Sequence, residues 1–339
     1  MATPVLLTVD TELTWRHYAA GLSWQDNFER SYEAAGVGIP YQLRMLAEHG
    51  LKACFFVDPM PALHYGLDPV RRMVDPILEA GQEVQLHLHP FWAGLGDENG
   101  KDPVFELTAF PLEFQHDLIR DARDLLVEAG VPDPIAFRSG SYAANVDTLA
   151  ALDRLGIRYD SSHNGSHHPW PSALPLDPAQ IAPVRHRGVT IVPVTQARDR
   201  PGRLRHLQLC AVSAAEMRAA LNHAAANDHP LVTIVSHSFE LATRDGLRPN
   251  WALCRRFEKL CRFLAKRHDA LPTAHFADLG PLPLAQEAAP LPPDRLRTNL
   301  RVAEQIWAEA RYERPASALT ALSGTSATGL EILLTYAAR

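Results

Sequence analysis

Two carboxylates stand at i and i+2 in the segment Leu7-Thr8-Val9-Asp10-Thr11-Glu12. If that segment is a strand, side chains two apart share a face, so Asp10 and Glu12 point the same way. Carboxylates held like this suit a divalent cation or a general base; equally, one can cap a loop while the other is solvated. Further on, Glu83-Val84-Gln85-Leu86-His87-Leu88-His89-Pro90 alternates two histidines with leucines. Both imidazoles then share one face, a chelate suited to zinc or a similar ion. Phe137-Arg138-Ser139-Gly140-Ser141-Tyr142 sends an arginine out of an apolar run. It either pairs with a carboxylate for structure or orients a base and lowers its pKa. The Gly/Ser turn behind it could aim a backbone N–H at a developing oxyanion. His237 closes Val232-Thr233-Ile234-Val235-Ser236 and is placed either to protonate a leaving amine or to serve as a bonded rim histidine.

The elements that must carry these residues are legible as short apolar runs: Val5 to Asp10, Leu51 to Asp58, Glu83 to Pro90, Ile135 to Gly140, Ile157 to Ser162, Thr190 to Thr195, Leu231 to Ser238 and Pro272 to Phe276. Amphipathic stretches lie between them, Ile39 to His49, Pro69 to Ala80, Leu112 to Ala129, Asn145 to Leu155, Ser213 to Asn227 and Asn250 to His268. Gly50, Gly81, Gly130 and Gly156 each follow a helix pattern, as C-caps do. Strand and helix thus alternate over seven or eight units, which predicts an α/β chain built as a (β/α)7-8 barrel with its site at the strand ends.

Three long loops, Leu13 to Gly38, Phe91 to Pro111 and His163 to Pro183, all follow strands and should crowd that mouth. They carry Trp15, Trp24, Phe91 and Trp92, whose rings could stack on sugars or form loop core. They also carry His163, His167 and His168, read as a solvated polar loop or an extension of the site. From Pro281 prolines cluster, and a helix pattern follows through Leu296, Leu300, Val302, Ile306 and Trp307. Residues 1–280 are therefore expected to form the barrel, and 281–339 a Pro-rich linker with an appended helical tail.

The 339 residues, 46% hydrophobic and 21% charged, are enough for one large core. A net charge of −6 without a Lys/Arg cluster excludes nucleic acid as the main partner. Cys54, Cys210, Cys254 and Cys261 form no Cys-x-x-Cys pair, so neither a structural zinc nor a disulfide framework is expected. No signal-like segment and no run of ~20 apolar residues occurs. The expectation is a cytoplasmic protein without a membrane span; oligomeric state is not readable.

Taken in order, these motifs resemble those of NodB-like polysaccharide deacetylases, carbohydrate esterase family four. The set is Thr-x-Asp-x-Glu at Asp10, Glu-Val-x-Leu-His-x-His at His87, Phe-Arg-x-Gly at Arg138, Tyr159-Asp160-Ser161-Ser162, and Ile-Val-Ser-His at His237. The WalW-like subgroup, linked with polysaccharide or lipopolysaccharide biosynthesis, is the nearest match. The resemblance implies a distorted barrel with one divalent metal, usually zinc with cobalt or nickel as substitutes, hydrolysing an N-acetyl or formyl amide on an amino sugar or glycan. By position, Asp10 matches the general base, His87 a metal histidine, Arg138 the partner of the base, Tyr142 an oxyanion donor through its backbone and His237 the general acid. Asp160 and Ser161 match a motif lying near that acid, with Trp15, Phe91 and Trp92 around the substrate.

Two departures stand out. Thr11 follows Asp10 where the family has a second aspartate, so Glu12 or Asp10 must supply the metal carboxylate. Phe91 occupies the place of the usual second histidine, so His89 must replace it. A metal hydrolase of a non-sugar amide, or a catalytically silent glycan-binding or assembly protein, are the alternatives.

Overall fold

The structure is a computed structural model that describes residues 2–94, 103–284 and 286–313. Its main sheet has eight strands in the order β10-β1-β2-β3-β4-β5-β7-β6. In chain order they are β1 (Val5–Thr11), β2 (Cys54–Val57), β3 (Glu83–Leu88), β4 (Ala136–Ser139), β5 (Tyr159–Asp160), β6 (Val184–His186), β7 (Val189–Ile191) and β10 (Val232–His237). A separate hairpin joins β8 (Gln196–Arg200) to β9 (Arg203–His206). Within the main sheet all neighbours are parallel except β6 against β7.

Every residue of β1, β2 and β4 is buried, as expected where helices cover one face of a parallel sheet and a filled interior the other. Those helices are Ile39–His49, Asp68–Glu79, Leu112–Glu128, Val146–Arg154, Ala214–Ala226 and Trp251–Ala265. Their ends follow local chemistry. Asn145 and Ser213 each close a capping box, with Thr148 and Glu216, and Gly50 takes the left-handed C-cap conformation at φ +63°. Inside the sheet, Gln85 accepts the N–H groups of Ile135 and Ala136 (2.8 and 2.7 Å) and so pins the start of β4.

The result is a distorted α/β barrel of the expected class, with two corrections. The run Pro272 to Phe276 does not become the eighth strand. It makes one parallel bridge, Thr273 to Val5, because β2 joins β1 only from Thr8 onward and leaves the first residues of β1 open on that side. Antiparallel β6 instead extends the sheet beyond β7. Between β7 and β10 the ring is bridged by irregular chain: Thr195 N–H donates to Thr233 O (3.2 Å), and Leu207 and Leu209 exchange bonds with Val235 (2.9 and 3.0 Å).

Beyond the barrel, the expected helix is present at Arg295–Ala308; the part of the tail from 314 to 339 lies outside the described residues. The orientation of this helix reverses its hydropathy pattern. Thr298 and Arg301 are its buried residues, whereas Leu296, Leu300, Ile306 and Trp307 are 70%, 60%, 62% and 54% exposed. Arg301 donates to Asp199 (2.6 Å) and Glu216 (3.1 Å), both in buried surroundings. The helix is therefore fastened to the hairpin and to Ala214–Ala226 by polar contacts.

Candidate functional site

The mouth at the C-terminal ends of β1, β3, β4 and β10 gathers the residues singled out by spacing. Parallel register sets Asp10 beside His237 and His87 beside Arg138. Glu12 follows the last residue of β1, and His89 the last residue of β3. Glu12, His87 and His89 each offer one ligand atom within 4.8 Å of the others, the one such group among the described residues. Glu12 Oε2 lies 2.5 Å from His89 Nε2 and 3.7 Å from His87 Nε2. His87 Nδ1 meets the Arg138 carbonyl at 2.7 Å, which makes Nδ1 the donor and leaves Nε2 as the lone-pair nitrogen facing Glu12. This donor set, one carboxylate and two imidazole nitrogens, fits a zinc-like divalent ion with a position left open.

Charge within the cluster follows its burial. Burial opposes ionisation of Glu12, but His89 and then His87 outweigh it and bring Glu12 down to about 2. His87 is pushed down to about 4, chiefly by burial. For His89 burial works downward too, yet Glu12 carries it up to about 9. Two further features hold His89 in place. Gly140 backs directly onto its ring, so closely that a Cβ there would overlap Nδ1, Cε1 and Cγ. Asp58 is electrostatically coupled to it and pushed up to about 7 by burial; Asp58 Oδ2 and His89 Nδ1 are both buried without a hydrogen-bond partner.

Asp10 belongs to a second group. Its Oδ1 accepts from Arg138 Nη1 at 2.6 Å, and Oδ2 lies 3.9 Å from His237 Nε2. Arg138 is fully buried over the Phe56 ring (4.3 Å) and is held in its pose by Ser161 O, Ser161 Oγ and Thr8 Oγ1. Burial would raise the Asp10 pKa, but Arg138, His87 and His237 lower it below its ordinary 3.8. The aspartate is thus kept as an anion. His237 is shifted the other way: burial favours its neutral form, while the Glu240 hydrogen bond and Asp10 raise its pKa. Ser141 and Tyr142 both sit at positive φ, +56° and +60°, in the short turn after β4.

Several expected residues are placed differently. Phe91 and Trp92 are 3% and 1% exposed and pack with Trp15, Tyr18 and Phe105 at ring distances of 5.0 to 5.5 Å. They are loop core and offer no face to a sugar; Trp15, half-buried, keeps the stacking role open. Asp160 and Ser161 are both fully buried. Asp160 accepts from Ser162 N and Oγ and makes no bond to His237, and Ser161 serves Arg138. His163 is buried against the Asp177 carbonyl, so that loop is not simply solvated, and neither it nor His167 and His168 joins the metal cluster.

Glu240 and Gln208 were missed. Glu240 Oε2 accepts the His237 N–H (2.9 Å) and lies 3.4 Å from its Nδ1, while Gln208 Nε2 is 3.2 Å from the same nitrogen. A carboxylate three residues after the motif histidine, in His237-Ser238-Phe239-Glu240, is the signal that could have found the first. Gln208 comes from irregular chain after β9 and left none.

No family model matches the chain, and no curated protein matches it. Solved structures do. A protein from Mycobacterium smegmatis assigned as a polysaccharide deacetylase is 18% identical, with 85% of this chain and 95% of that one covered and a TM-score of 0.49. The 4-alpha-glucanotransferase of Thermococcus litoralis is 14% identical over 86% of this chain and 41% of that one, with a TM-score of 0.51. A CE4 family pseudoenzyme from Bacillus anthracis is 12% identical over 82% and 65%, at 0.44. At 14% identity the likeness to the glucanotransferase is one of fold alone.

Proposed function

We propose that this chain is a metal-dependent hydrolase that removes an N-acetyl or formyl group from an amino sugar. The observation that carries the reading is the division of labour around one mouth: Glu12, His87 and His89 converge as a ligand set, while Asp10 and His237 stand beside it with opposite proton affinities. Arg138 holds Asp10 ionised and fixes its Oδ1, leaving Oδ2 to take a proton from the attacking water. A divalent ion on the three ligands, with zinc the best fit to their chemistry, would supply Lewis acidity toward that water and the acyl carbonyl. The Tyr142 backbone N–H in the turn after β4 would be the oxyanion donor. Glu240 accepts from Nδ1 and orients the imidazolium of His237, whose Nε2 delivers the proton to the departing nitrogen.

A glycan substrate, the WalW-like subgroup, a place in polysaccharide or lipopolysaccharide biosynthesis and a cytoplasmic setting are narrower parts of the same proposal and rest on the sequence motifs. No helix among the described residues is long and apolar enough to cross a membrane.

Equilibration with zinc, cobalt or nickel followed by elemental analysis tests the reading. The expected result is about one ion per chain, with deacylation of N-acetyl or N-formyl amino sugars and none of cyclic amides. A chain that retains no ion and turns over no probe is a silent binding protein instead, and turnover confined to cyclic amides would assign it to non-sugar chemistry.

A further inference from the structure

The helix Trp15–Ala19 begins three residues after Glu12 and carries Arg16. The Arg16 guanidinium stacks over Phe239 (5.1 Å), and the Phe239 ring packs on the His237 imidazole (5.2 Å). Arg16 is thus one phenyl ring away from the proposed acid, and it is electrostatically coupled to Glu12. Its Nε is buried with no hydrogen-bond partner. Arg244, on the loop after β10, is a like-charged neighbour of Arg16. Two carboxylates are near: Glu313 accepts the backbone N–H of Arg244 (2.9 Å), and Asp245 accepts from Thr243 Oγ1 and Leu247 N. Among the described residues, neither Arg16 nor Arg244 makes a side-chain hydrogen bond or an ion pair. Glu12, Glu313 and Asp245 partly offset the charge of Arg16, but its buried Nε–H still lacks an acceptor, and an arginine fork matches carboxylate and phosphate in geometry.

We infer that Arg16 and Arg244 form an anion subsite beside the candidate metal centre, and that the substrate is an acylamino sugar bearing a carboxylate or phosphate close to its acylamino group. The inference rests on the hydrolase reading for the identity of the reacting group. The cations themselves are independent of it. In this arrangement Phe239 is a spacer: it sets the separation between the anion and His237, and its ring face shields the guanidinium from water, which strengthens the attraction.

Calorimetry with N-acetylglucosamine, its 1-phosphate, its 6-phosphate and N-acetylmuramic acid, alongside turnover of each, tests this on the metal-equilibrated full chain. At least one charged probe should bind about tenfold or more tightly than N-acetylglucosamine, and the phosphate and carboxylate arms tell which anion is preferred. Arg16→Gln and Arg244→Gln should each shrink that ratio several-fold, and Arg16→Lys should keep part of it. Arg244 is exposed, so its variant reports even if Arg16→Gln fails to fold. Equal affinity for all four probes, or a preference that survives both glutamine variants, overturns the subsite. Hydrolysis of the neutral probe with no charge preference overturns the subsite alone; an arginine-dependent preference without turnover of any probe overturns the hydrolase reading alone.

Discussion

Arg138 and Asp10 form a 2.6 Å ion pair whose side chains are 0% and 4% exposed. Breaking such a pair leaves an uncompensated charge in the interior, at a cost of about 3–5 kcal/mol. Asp10→Asn should therefore do two things at once. Turnover should fall by at least about a hundredfold, because the amide cannot accept the proton, and the denaturation midpoint should drop. Zinc content should stay near one per chain, since Asp10 lies outside the cluster of Glu12, His87 and His89. Turnover that survives the substitution removes Asp10 as base; loss of the ion instead would make Asp10 a ligand.

Gly140 offers a test of the metal cluster that touches no ligand. A methyl group at this position must displace the His89 ring, and a supporting change of this kind typically costs about 10–100-fold in metal affinity. Gly140→Ala should weaken zinc binding within that range, measured by competition with a chelator. Unaltered affinity would mean that His89 is not a ligand.

The tail clamp should respond to acid. Burial alone would raise the Asp199 pKa, but Arg205 and Arg301 bring it below the ordinary 3.8. A depressed carboxyl gives stability that is complete above its unfolded pKa and lost as pH falls through the folded value, so the clamp should hold at neutral pH and release as pH falls below the ordinary 3.8. Arg301→Ala, which leaves Asp199 to Arg205 alone and takes the ion-pair partner from Glu216, should reproduce the release near neutrality. Limited proteolysis around 290–294 measures it: protection that persists in the variant would show that the clamp does not hold the helix.

The parts of this molecule that obey a period were readable from the chain, and the parts that depend on distant pairing were not. Seven of the eight expected strand runs and all six barrel helices coincide with observed elements because apolar spacing and glycine caps are local signals. Pro272 to Phe276 has strand composition yet only one bridge, since β2 decides how much of β1 is left to pair. At the site, Asp10, Glu12, His87 and His89 follow from strand alternation. The division between the Asp10–Arg138 pair and the Glu12–His87–His89 cluster does not, because it depends on the stagger between β1, β3 and β4. Phe91 and Trp92 show the converse limit. Aromatic type at a loop position is compatible with either a sugar platform or loop core, and only burial distinguishes the two.

The helix Arg295–Ala308 inverts the usual map of which substitutions a fold tolerates. Its leucines, isoleucine and tryptophan bury little against the described residues, so exchanging Leu296, Leu300 or Ile306 for polar residues removes little folded-state contact there. Arg301 and Thr298, which look dispensable by type, hold the helix in place. Along this element, a substitution survey ranked by hydrophobicity would order the positions backwards.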